Sequence, residues 1–403
     1  MPFRHRPGRP RACRQRRVLT MALKRSNRGQ VPPFIVMDVL REANRREAGG
    51  EDVLHLEVGQ PSTGAPAGVI ETAQRVLVSD KLGYTEALGI GPLRARIAQH
   101  YRDTYDIDLP AERVVVTTGS SGGFMLAFLS AFDAGDRVAL ADPGYPAYRN
   151  ILSALGIEAV GVPTGPADRY QPTPALLDRI DGDIDGLIVA SPANPTGTML
   201  PAEDMKILAA YCDDRGIRLI SDEIYHGITY AVPAATALQF TDNGFVVNSF
   251  SKYYSMTGWR VGWMIIPEDL HRSVECLAQN IFISVPSLSQ RAACAAFDCT
   301  GELDVNVARY AANRELLLSE LPKAGLDRLA PADGAFYIYA DVGHLTEDSE
   351  AFCRQILTET GVALAPGTDF DRDRGNATIR ISFAGDTPTM AEAARRLQRW
   401  IKG

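Results

Sequence analysis

The sequence alternates two kinds of segment between Val114 and Phe250. Short runs of β-branched apolar residues, typical of buried strands, alternate with segments whose apolar residues recur at helical spacing. Strands that alternate with helices form a mostly parallel sheet with helices on both faces, so the pattern predicts an α/β fold. A further strand at 259–266, which could run antiparallel, makes the predicted sheet seven-stranded. The other predicted strands are 114–118, 137–141, 158–162, 186–190, 217–221 and 245–250, and the helices between them are 123–132, 148–155, 174–180 and 203–215.

The segments on either side of this sheet predict a smaller α+β domain. Before the sheet lie predicted helices at 32–47, 69–79 and 92–101 and a strand at 53–58. After it come a long helical region at 268–321 and strands at 335–339, 361–365 and 378–382. We assign residues 1–30 to a basic N-terminal extension, 66–295 to the large domain, and 31–65 with 296–403 to the small domain. A chain of 403 residues is long enough for about two or three domains.

The first twenty residues differ from the rest of the chain. They contain no acidic residue but several prolines and seven closely spaced arginines, namely Arg4, Arg6, Arg9, Arg11, Arg14, Arg16 and Arg17. One interpretation is an arginine-rich targeting peptide, although the prolines oppose an amphipathic helix. The alternative is a start of translation at Met21. In both cases we predict disorder in this extension.

Charge and cysteine usage exclude several classes of protein. The formal net charge of -7 disfavours nucleic-acid binding. The six cysteines are scattered, with no Cys-x-x-Cys pair and no histidine at metal-ligand spacing, so we expect no metal site and a reducing, cytoplasmic location. The longest mainly apolar stretch, 124–132, is too short to cross a bilayer, so no membrane partner is expected.

Polar residues that follow the predicted strands form the candidate site, because ligands of open α/β sheets bind at the carboxyl ends of the strands. Gly119, Ser120 and Ser121 follow the first strand, where free backbone N–H groups and hydroxyls could hold a phosphate, although such turns are common. Tyr145 follows the second strand and could stack on an aromatic ring, or simply lie half-buried in a turn. Asn194 offers an amide donor, although Asn-Pro turns are ordinary.

Lys252 follows the predicted strand at 245–250 and lies among serines and aromatic residues. A lysine that is shielded from water loses its proton readily and becomes an amine nucleophile. We therefore predict that Lys252 forms an imine with an aldehyde cofactor, pyridoxal phosphate (PLP). The alternative is a loop lysine without a chemical role.

Asp222 follows the preceding predicted strand, at 217–221. A buried carboxylate needs a partner because an unpaired buried charge is costly, and a protonated pyridine nitrogen would serve. The alternative is an aspartate that caps a helix. Tyr225, three residues later, could hydrogen-bond the phenolic oxygen of the same ring.

Two arginines are candidates for anion binding. Arg260, together with the hydroxyls of Ser249 and Ser251, can neutralise a phosphate dianion. Arg380 lies inside an apolar strand, where its charge must face an anion. That anion is either the α-carboxylate of a substrate or a protein carboxylate in an internal salt bridge.

Three segments carry a family resemblance by their order and spacing: Ser-Pro-Ala-Asn-Pro-Thr-Gly at 191–197, Asp-Glu-Ile-Tyr at 222–225, and Ser-Phe-Ser-Lys at 249–252 with Gly-Trp-Arg at 258–260. From about residue 31 to its end, the sequence resembles the fold-type I PLP-dependent enzymes, most closely the class I and II aminotransferases. The resemblance implies transfer of the amino group of an L-amino acid to a 2-oxo acid through a Schiff base on Lys252. The alternative is a PLP-dependent carbon–sulfur lyase or other carbanion chemistry on the same scaffold, since such enzymes share the fold and the lysine.

The resemblance also implies a role for each candidate residue, with Lys252, Asp222 and Tyr225 as the catalytic set. The ring of the cofactor would be held by Tyr145, Asn194, Asp222, Tyr225 and Lys252, its phosphate by Gly119, Ser120, Ser121, Ser249, Ser251 and Arg260, and the substrate by Arg380, Asn194 and the backbone at Gly59. Tyr84 matches a tyrosine that such enzymes lend to the phosphate of the neighbouring subunit, which implies a homodimer with shared active sites. The Asp142–Pro143 and Asn194–Pro195 peptide bonds are expected to be cis.

One position departs from the resemblance. Related bacterial aspartate aminotransferases often carry a lysine in the phosphate loop that binds the distal carboxylate of the substrate, and Ser121 stands in that place here. A dedicated dicarboxylic substrate is therefore in doubt, and aromatic or aliphatic amino donors are as plausible.

Overall fold

The computed structural model describes residues 23–403, which form one large sheet, a smaller sheet and the helices that cover them. The helices are α1 (Ile35–Ala48), α2 (Ala67–Ser79), α3 (Gly91–Tyr105), α4 (Gly119–Ala131), α5 (Pro146–Leu155), α6 (Pro174–Leu177), α7 (Ala202–Arg215), α8 (His271–Ile281), α9 (Ser287–Ala296), α10 (Thr300–Glu320), α11 (Ser349–Thr360) and α12 (Thr387–Lys402). The strands are β1 (Leu54–His55), β2 (Val114–Thr117), β3 (Arg137–Asp142), β4 (Glu158–Pro163), β5 (Gly186–Ala190), β6 (Arg218–Asp222), β7 (Phe245–Ser249), β8 (Gly262–Ile265), β9 (Arg328–Leu329), β10 (Tyr337–Asp341), β11 (Val362–Ala363), β12 (Ala365–Pro366) and β13 (Thr378–Ser382).

The large sheet has seven strands in the order β2-β8-β7-β6-β5-β3-β4, which confirms the predicted strand number and fold class. The strands from β7 to β4 pair in parallel, whereas β8 pairs antiparallel with both β7 and β2. The chain between β7 and β8 contains a 3₁₀ turn, Thr257–Trp259, and no crossover helix. Parallel pairing usually needs such a crossover, so the antiparallel direction of β8 follows from this connection.

Alternate residues of the large sheet point into two different cores. Val115 and Met264 pack against α4, α5 and α8 on one face, whereas Val116 and Trp263 pack against α3, α7 and α9 on the other. Strands that are buried on both faces read as continuous apolar runs in the sequence. This is why the runs alone were enough to locate the strands.

Several predicted boundaries are wrong. α4 begins at Gly119 rather than at residue 123, so the Gly-Ser-Ser segment is the first turn of a helix and not a loop before it. The region predicted as helical from 268 to 321 consists of α8, α9 and α10. Ile283, whose backbone is left-handed with a φ of 64°, and Pro286 separate α8 from α9, and a second break at 297–299 separates α9 from α10. The strand predicted at 53–58 shortens to β1, and the helix predicted at 174–180 shortens to α6.

The smaller unit is built on a four-stranded sheet in the order β12-β13-β10-β9, beside the parallel pair of β1 and β11. α10 joins the two units, since its Leu303 packs in a core of the large sheet and its Leu317 packs in the core of the small one. α1 packs against β11 and β12, which brings this early segment next to the C-terminal strands. The domain boundaries at 65 and 295 stay a prediction.

The predicted disorder of the N-terminal extension falls mostly on residues 1–22, which lie outside the described residues. Residues 23–30 contain one 3₁₀ turn, Asn27–Gly29. None of the helices in the described range combines the length and the apolar character that crossing a membrane requires.

Candidate active site

A cavity of about 260 Å³ opens at the carboxyl ends of β5, β6 and β7, between the large sheet and the smaller unit. Most of the candidate residues line it, namely Gly59, Ser120, Ser121, Tyr145, Asn194, Asp222, Tyr225, Ser251, Lys252, Arg260 and Arg380. Gly119 and Ser249 lie just behind this lining, because Gly119 packs against Arg260 and the Ser249 hydroxyl bonds the Ser251 hydroxyl at 2.9 Å. Residues that are far apart in the sequence therefore meet at the carboxyl ends of the strands, where ligands of open α/β sheets bind.

Lys252 directs its amine into the cavity. Its Nζ donates a hydrogen bond of 2.5 Å to the carbonyl oxygen of Gly59. Burial and the positive charge of Arg380 lower the pKa of this amine from 10.5 to about 8, although Asp222 acts in the opposite direction. A substantial share of the amine is therefore neutral close to physiological pH, as a nucleophile or a proton acceptor requires.

Gly59 must be a glycine for this contact to form. A Cβ atom at this position would overlap the hydroxyl and the ring of Tyr337. The absence of a side chain lets the backbone approach the cavity closely enough for its carbonyl to accept the bond from Lys252.

Asp222 is buried at the end of β6, with an exposed fraction of 3%. Its carboxylate accepts hydrogen bonds from the hydroxyl of Tyr148 and from the backbone N–H of Ile224, the latter at 3.1 Å. Burial raises the pKa of Asp222 to about 6, against the effect of these two bonds and of the Lys252 charge. The residues that follow form a turn rather than a helix, so the alternative of a helix-capping aspartate is wrong. No arginine, lysine or histidine in the described range forms a salt bridge with this carboxylate.

Aromatic rings form the walls beside this carboxylate. The hydroxyls of Tyr225 and Tyr337 are hydrogen-bonded at 2.7 Å, and the Tyr145 ring lies 5.3 Å from the Tyr148 ring in an edge-to-face contact. The cavity thus offers flat apolar faces next to an anion, which suits a cationic aromatic ring.

The first turn of α4 and Arg260 form a cradle for an anion. Thr118, which precedes the helix, makes no side-chain cap, so it leaves the first N–H groups of this thirteen-residue helix without a side-chain acceptor. Gly119 has a φ of +66° and packs so closely on the Arg260 guanidinium that a Cβ atom would overlap it. Arg260 forms no salt bridge with a carboxylate among residues 23–403, and its Nη1 donates to the Thr257 carbonyl at 3.0 Å. Positive charge and free N–H groups therefore converge at this end of the cavity.

Arg380 is buried in β13, with an exposed fraction of 2%. Its Nη1 donates a bond of 2.8 Å to the Oδ1 of Asn194, its Nη2 donates to the Glu57 carbonyl, and its Nε has no partner. The guanidinium lies between the rings of Tyr337 and Phe370, at 4.5 and 4.6 Å from their centroids. No carboxylate within residues 23–403 forms a salt bridge with it, so the alternative of an internal salt bridge is wrong. A buried cation without a counter-ion at the edge of a cavity is suited to an anionic ligand.

The sequence did not reveal several residues of this site. Tyr148 lies one helical turn after Tyr145, and that spacing could have placed it on the same side of α5. Tyr337 enters the site only through the pairing of β10 with β13, in which Tyr339 lies opposite Arg380. Residues just before and within α1 add an apolar wall to the cavity, formed by Phe34, Val36, Met37 and Leu40. Nothing in the local sequence indicates that this segment lies next to the cavity.

Two expectations concern other parts of the chain. The Asp142–Pro143 and Asn194–Pro195 peptide bonds are cis, as predicted, and so is Ser191–Pro192. Tyr84 does not line the cavity and is 85% exposed, so its predicted role toward a neighbouring subunit stays a prediction.

The fold and the site together define an α/β protein with a buried lysine amine in a cavity at the carboxyl ends of the strands of its large sheet. The profile of the family "Aminotransferase class I and II" matches residues 51–397, and the chain belongs to this family. The chain is 54% identical to the valine–pyruvate aminotransferase of Mycobacterium tuberculosis over 378 residues, which cover 93% of this chain and 97% of the relative. It is 32% identical to the (5-formylfuran-3-yl)methyl phosphate transaminase of Methanocaldococcus jannaschii, over 91% of this chain and 96% of the relative.

Solved structures give the same result. A crystal structure of an aminotransferase from Mycobacterium tuberculosis matches with a TM-score of 0.93 at 53% identity, over 94% of this chain and 100% of that chain. The protein is an aminotransferase that moves an amino group from an amino acid to a 2-oxo acid. These findings confirm the predicted transferase and do not favour the lyase alternative.

Proposed function

We propose that the cavity binds PLP and that Lys252 is the residue that bonds to it. The observation that carries the proposal is the meeting of a partly neutral amine and an unpaired buried carboxylate at one cavity, beside an anion cradle. Each feature fits one part of the cofactor: the Lys252 amine its aldehyde, the Asp222 carboxylate its pyridine nitrogen, and the cradle at Gly119 and Arg260 its phosphate. When bound, PLP supplies an electron sink for the negative charge that develops at the α-carbon of the substrate.

The remaining candidate residues complete the binding site. The Tyr145 ring lies against the cavity, where it can cover one face of the cofactor ring. Asn194 and Tyr225 can donate hydrogen bonds to the ring oxygen, and Asn194 already contacts Arg380. The remaining phosphate contacts are proposed for the hydroxyls of Ser120, Ser121, Ser249 and Ser251.

The residues of the chain also account for the handling of protons and of the substrate. Arg380 binds the α-carboxylate of the amino acid, which fixes the orientation of the Cα–H bond relative to Lys252. The Nζ of Lys252, once free, takes the α-proton as a base and then donates it as an acid to an atom other than the α-carbon, because its lowered pKa makes it both an effective base and an effective acid. The Gly59 carbonyl holds the protonated amine between these two transfers.

The proposed substrates are amino acids with apolar side chains. Phe34, Val36, Met37 and Leu40 form an apolar wall on one side of the cavity. The cationic residues that line the cavity are Lys252, Arg260 and Arg380, and each of them already has a proposed role. Ser121 supplies no further positive charge that could bind the distal carboxylate of a dicarboxylic substrate. The 54% identical relative carries the name valine–pyruvate aminotransferase, which supports an aliphatic donor.

Assembly and location are further parts of the proposal. An exposed Tyr84 outside the cavity of its own chain supports a homodimer in which this residue reaches the phosphate of the partner. The five cysteines within the described range are all free, which supports a reducing compartment and hence the cytoplasm.

The test is to trap the cofactor. Purified protein is incubated with PLP and reduced with borohydride, and the modified peptide is identified by mass spectrometry. We expect an absorbance band near the visible edge before reduction and the label on Lys252 after it, and Lys252→Ala should show neither. Lys206→Ala is the matched control, because Lys206 is a solvated residue of α7. A label on another lysine, or amino transfer by Lys252→Ala, would refute the assignment.

A panel of amino donors tests the substrate class. Valine, leucine, phenylalanine, alanine and aspartate are compared in single-turnover reactions followed by the absorbance of the cofactor. We expect the apolar donors to have higher kcat/KM values than aspartate. A preference for aspartate would contradict the proposed substrate class and leave the proposed cofactor untouched.

A further inference from the structure

The N-terminus of α1 is capped by a residue from the other end of the chain. Phe34, at the N-cap position, has no side chain that can accept a hydrogen bond. Instead, the Asp369 carboxylate accepts bonds from the backbone N–H of Ile35 at 3.2 Å and of Val36 at 2.9 Å. The carboxylate satisfies two of the free N–H groups at the start of the helix and places a negative charge at the positive end of its dipole.

Asp369 is itself held firmly. It is 2% exposed and ends the 3₁₀ turn Gly367–Asp369, which follows β12. The Phe370 carbonyl accepts a bond of 3.0 Å from the N–H of Gly144, and Arg149 donates to the carbonyls of both Asp369 and Phe370. The backbone that carries the capping carboxylate is therefore held by the loop after β3 and by α5, as well as by the small unit.

The same turn adjoins the substrate end of the cavity. The Phe370 ring lies 4.6 Å from the guanidinium of Arg380, the proposed anchor of the substrate carboxylate. The Phe34 ring lies 5.8 Å from the Tyr145 ring, next to the proposed position of the cofactor. The cap thus connects the start of α1 with the two groups that would orient the substrate and the cofactor.

Few other contacts hold this end of α1. Its buried residues are Val36 and Ala43, and Val36 belongs to a small cluster with Ala365 and Phe370. Ala43 packs in a separate cluster closer to the C-terminal end of the helix. Loss of the cap should therefore loosen the part that lines the cavity and leave the second half of the helix in place.

We propose that Asp369 is a positioning residue for substrate specificity: by capping α1 it holds Val36, Met37 and Leu40 as the wall against which the substrate side chain packs. The inference rests on the proposed function, since it needs the wall to face the substrate. Asp369 does not line the cavity, but its charge interacts with that of Arg380 as well as with the start of α1. A change at Arg380 would affect all amino donors alike, whereas a loosened wall would affect the large apolar donors most. A large apolar side chain depends on this wall, whereas the methyl group of alanine is too short to reach it.

The test compares donors in Asp369→Ala. We expect kcat/KM for valine and leucine to fall by about tenfold or more relative to that for alanine, as is usual when an apolar contact with the substrate is lost. Hydrogen exchange of the protein without cofactor should speed up in the peptide covering residues 34–42 and stay the same in residues 43–48. Asp369→Asn keeps one acceptor oxygen, so its kcat/KM for valine and leucine relative to alanine should lie between the values for wild type and Asp369→Ala. This variant also serves as the test if Asp369→Ala does not fold.

Asp348→Ala is the matched control. Asp348 caps α11 through a bond of 2.9 Å to the N–H of Ala351, and it does not line the cavity. This variant should lose a similar amount of stability without a change in donor preference. Val36→Ala shortens the wall directly and should shift the preference in the same direction as Asp369→Ala.

Two results would overturn the inference. One is an unchanged ratio of valine to alanine turnover in Asp369→Ala, and the other is unchanged exchange in residues 34–42. Failure of the proposed function would show separately, in the wild-type protein, as a preference for aspartate over valine before any variant is made.

Discussion

The hydroxyl of Tyr148 in α5 donates a hydrogen bond to the Asp222 carboxylate at the end of β6. The backbone N–H of Ile224 donates a second hydrogen bond to this carboxylate, and the Lys252 charge also favours its ionised form. Both bonds favour the ionised carboxylate, whereas burial raises its pKa to about 6. Tyr148 therefore helps to maintain a negative charge that faces the cavity.

Tyr148→Phe should weaken cofactor binding. The Asp222 carboxylate loses a bond that stabilises its charge, so its pKa should rise further. A hydrogen bond to a charged group contributes about 1.5–3 kcal/mol, so the Kd for PLP should increase about tenfold or more in a fluorescence titration. Tyr211→Phe, which loses a surface bond of 2.8 Å to Asp178, should leave the Kd unchanged. Equal Kd values for wild type and Tyr148→Phe would contradict this account.

Cofactor binding should become faster as the pH rises through about 8. The Lys252 amine has this pKa because burial and the Arg380 charge disfavour its protonated form. It is charged below this pH and neutral above it, and only the neutral amine attacks an aldehyde. Stopped-flow absorbance measures the rate against pH. In Arg380→Gln a neighbouring positive charge is lost, so the midpoint should move to higher pH. A wild-type midpoint near 10.5, the ordinary value for lysine, would show that the amine is not perturbed.

Gly59→Ala should lower both stability and activity. The added methyl group would overlap the Tyr337 side chain and displace the carbonyl that accepts the Lys252 bond. Overpacking of this kind costs about 1–3 kcal/mol in the free energy of unfolding, which denaturant titration can measure. Gly64→Ala, in the same segment, is the control because a methyl group there meets open space. Similar losses in the two variants would argue against a special role for the close approach at Gly59.

The proposed sharing of Tyr84 can be tested by mixing subunits. Tyr84→Ala and Lys252→Ala homodimers should each transfer amino groups poorly or not at all. A mixed dimer has one site with a native Lys252 and a native Tyr84 from the partner chain, so activity should return on refolding the two together. If activity does not return although mixed dimers form, Tyr84 does not act across subunits.

The large sheet and the residues at its strand ends could be predicted from the sequence because their signals are local. A strand buried on both faces is a continuous apolar run, and the polar residue that ends the run must lie at the edge of the sheet. Lys252, Asp222 and Asn194 were found in this way, and all three line the cavity. The extent of α4 was missed because a Gly-Ser segment has weak helix propensity, and its helical form depends on packing against the sheet.

Contacts between distant segments needed the folded chain. Tyr337 joins the site through the register of β10 against β13, and strand register depends on tertiary pairing rather than on composition. Asp369 caps α1 across 333 residues of sequence, and nothing near either residue indicates the other. Apolar periodicity and the polar residues at the strand ends thus define where the cavity forms. The shape and polarity of the space around the substrate arise only when the first helix, the large sheet and the C-terminal strands pack together, because each contributes one wall.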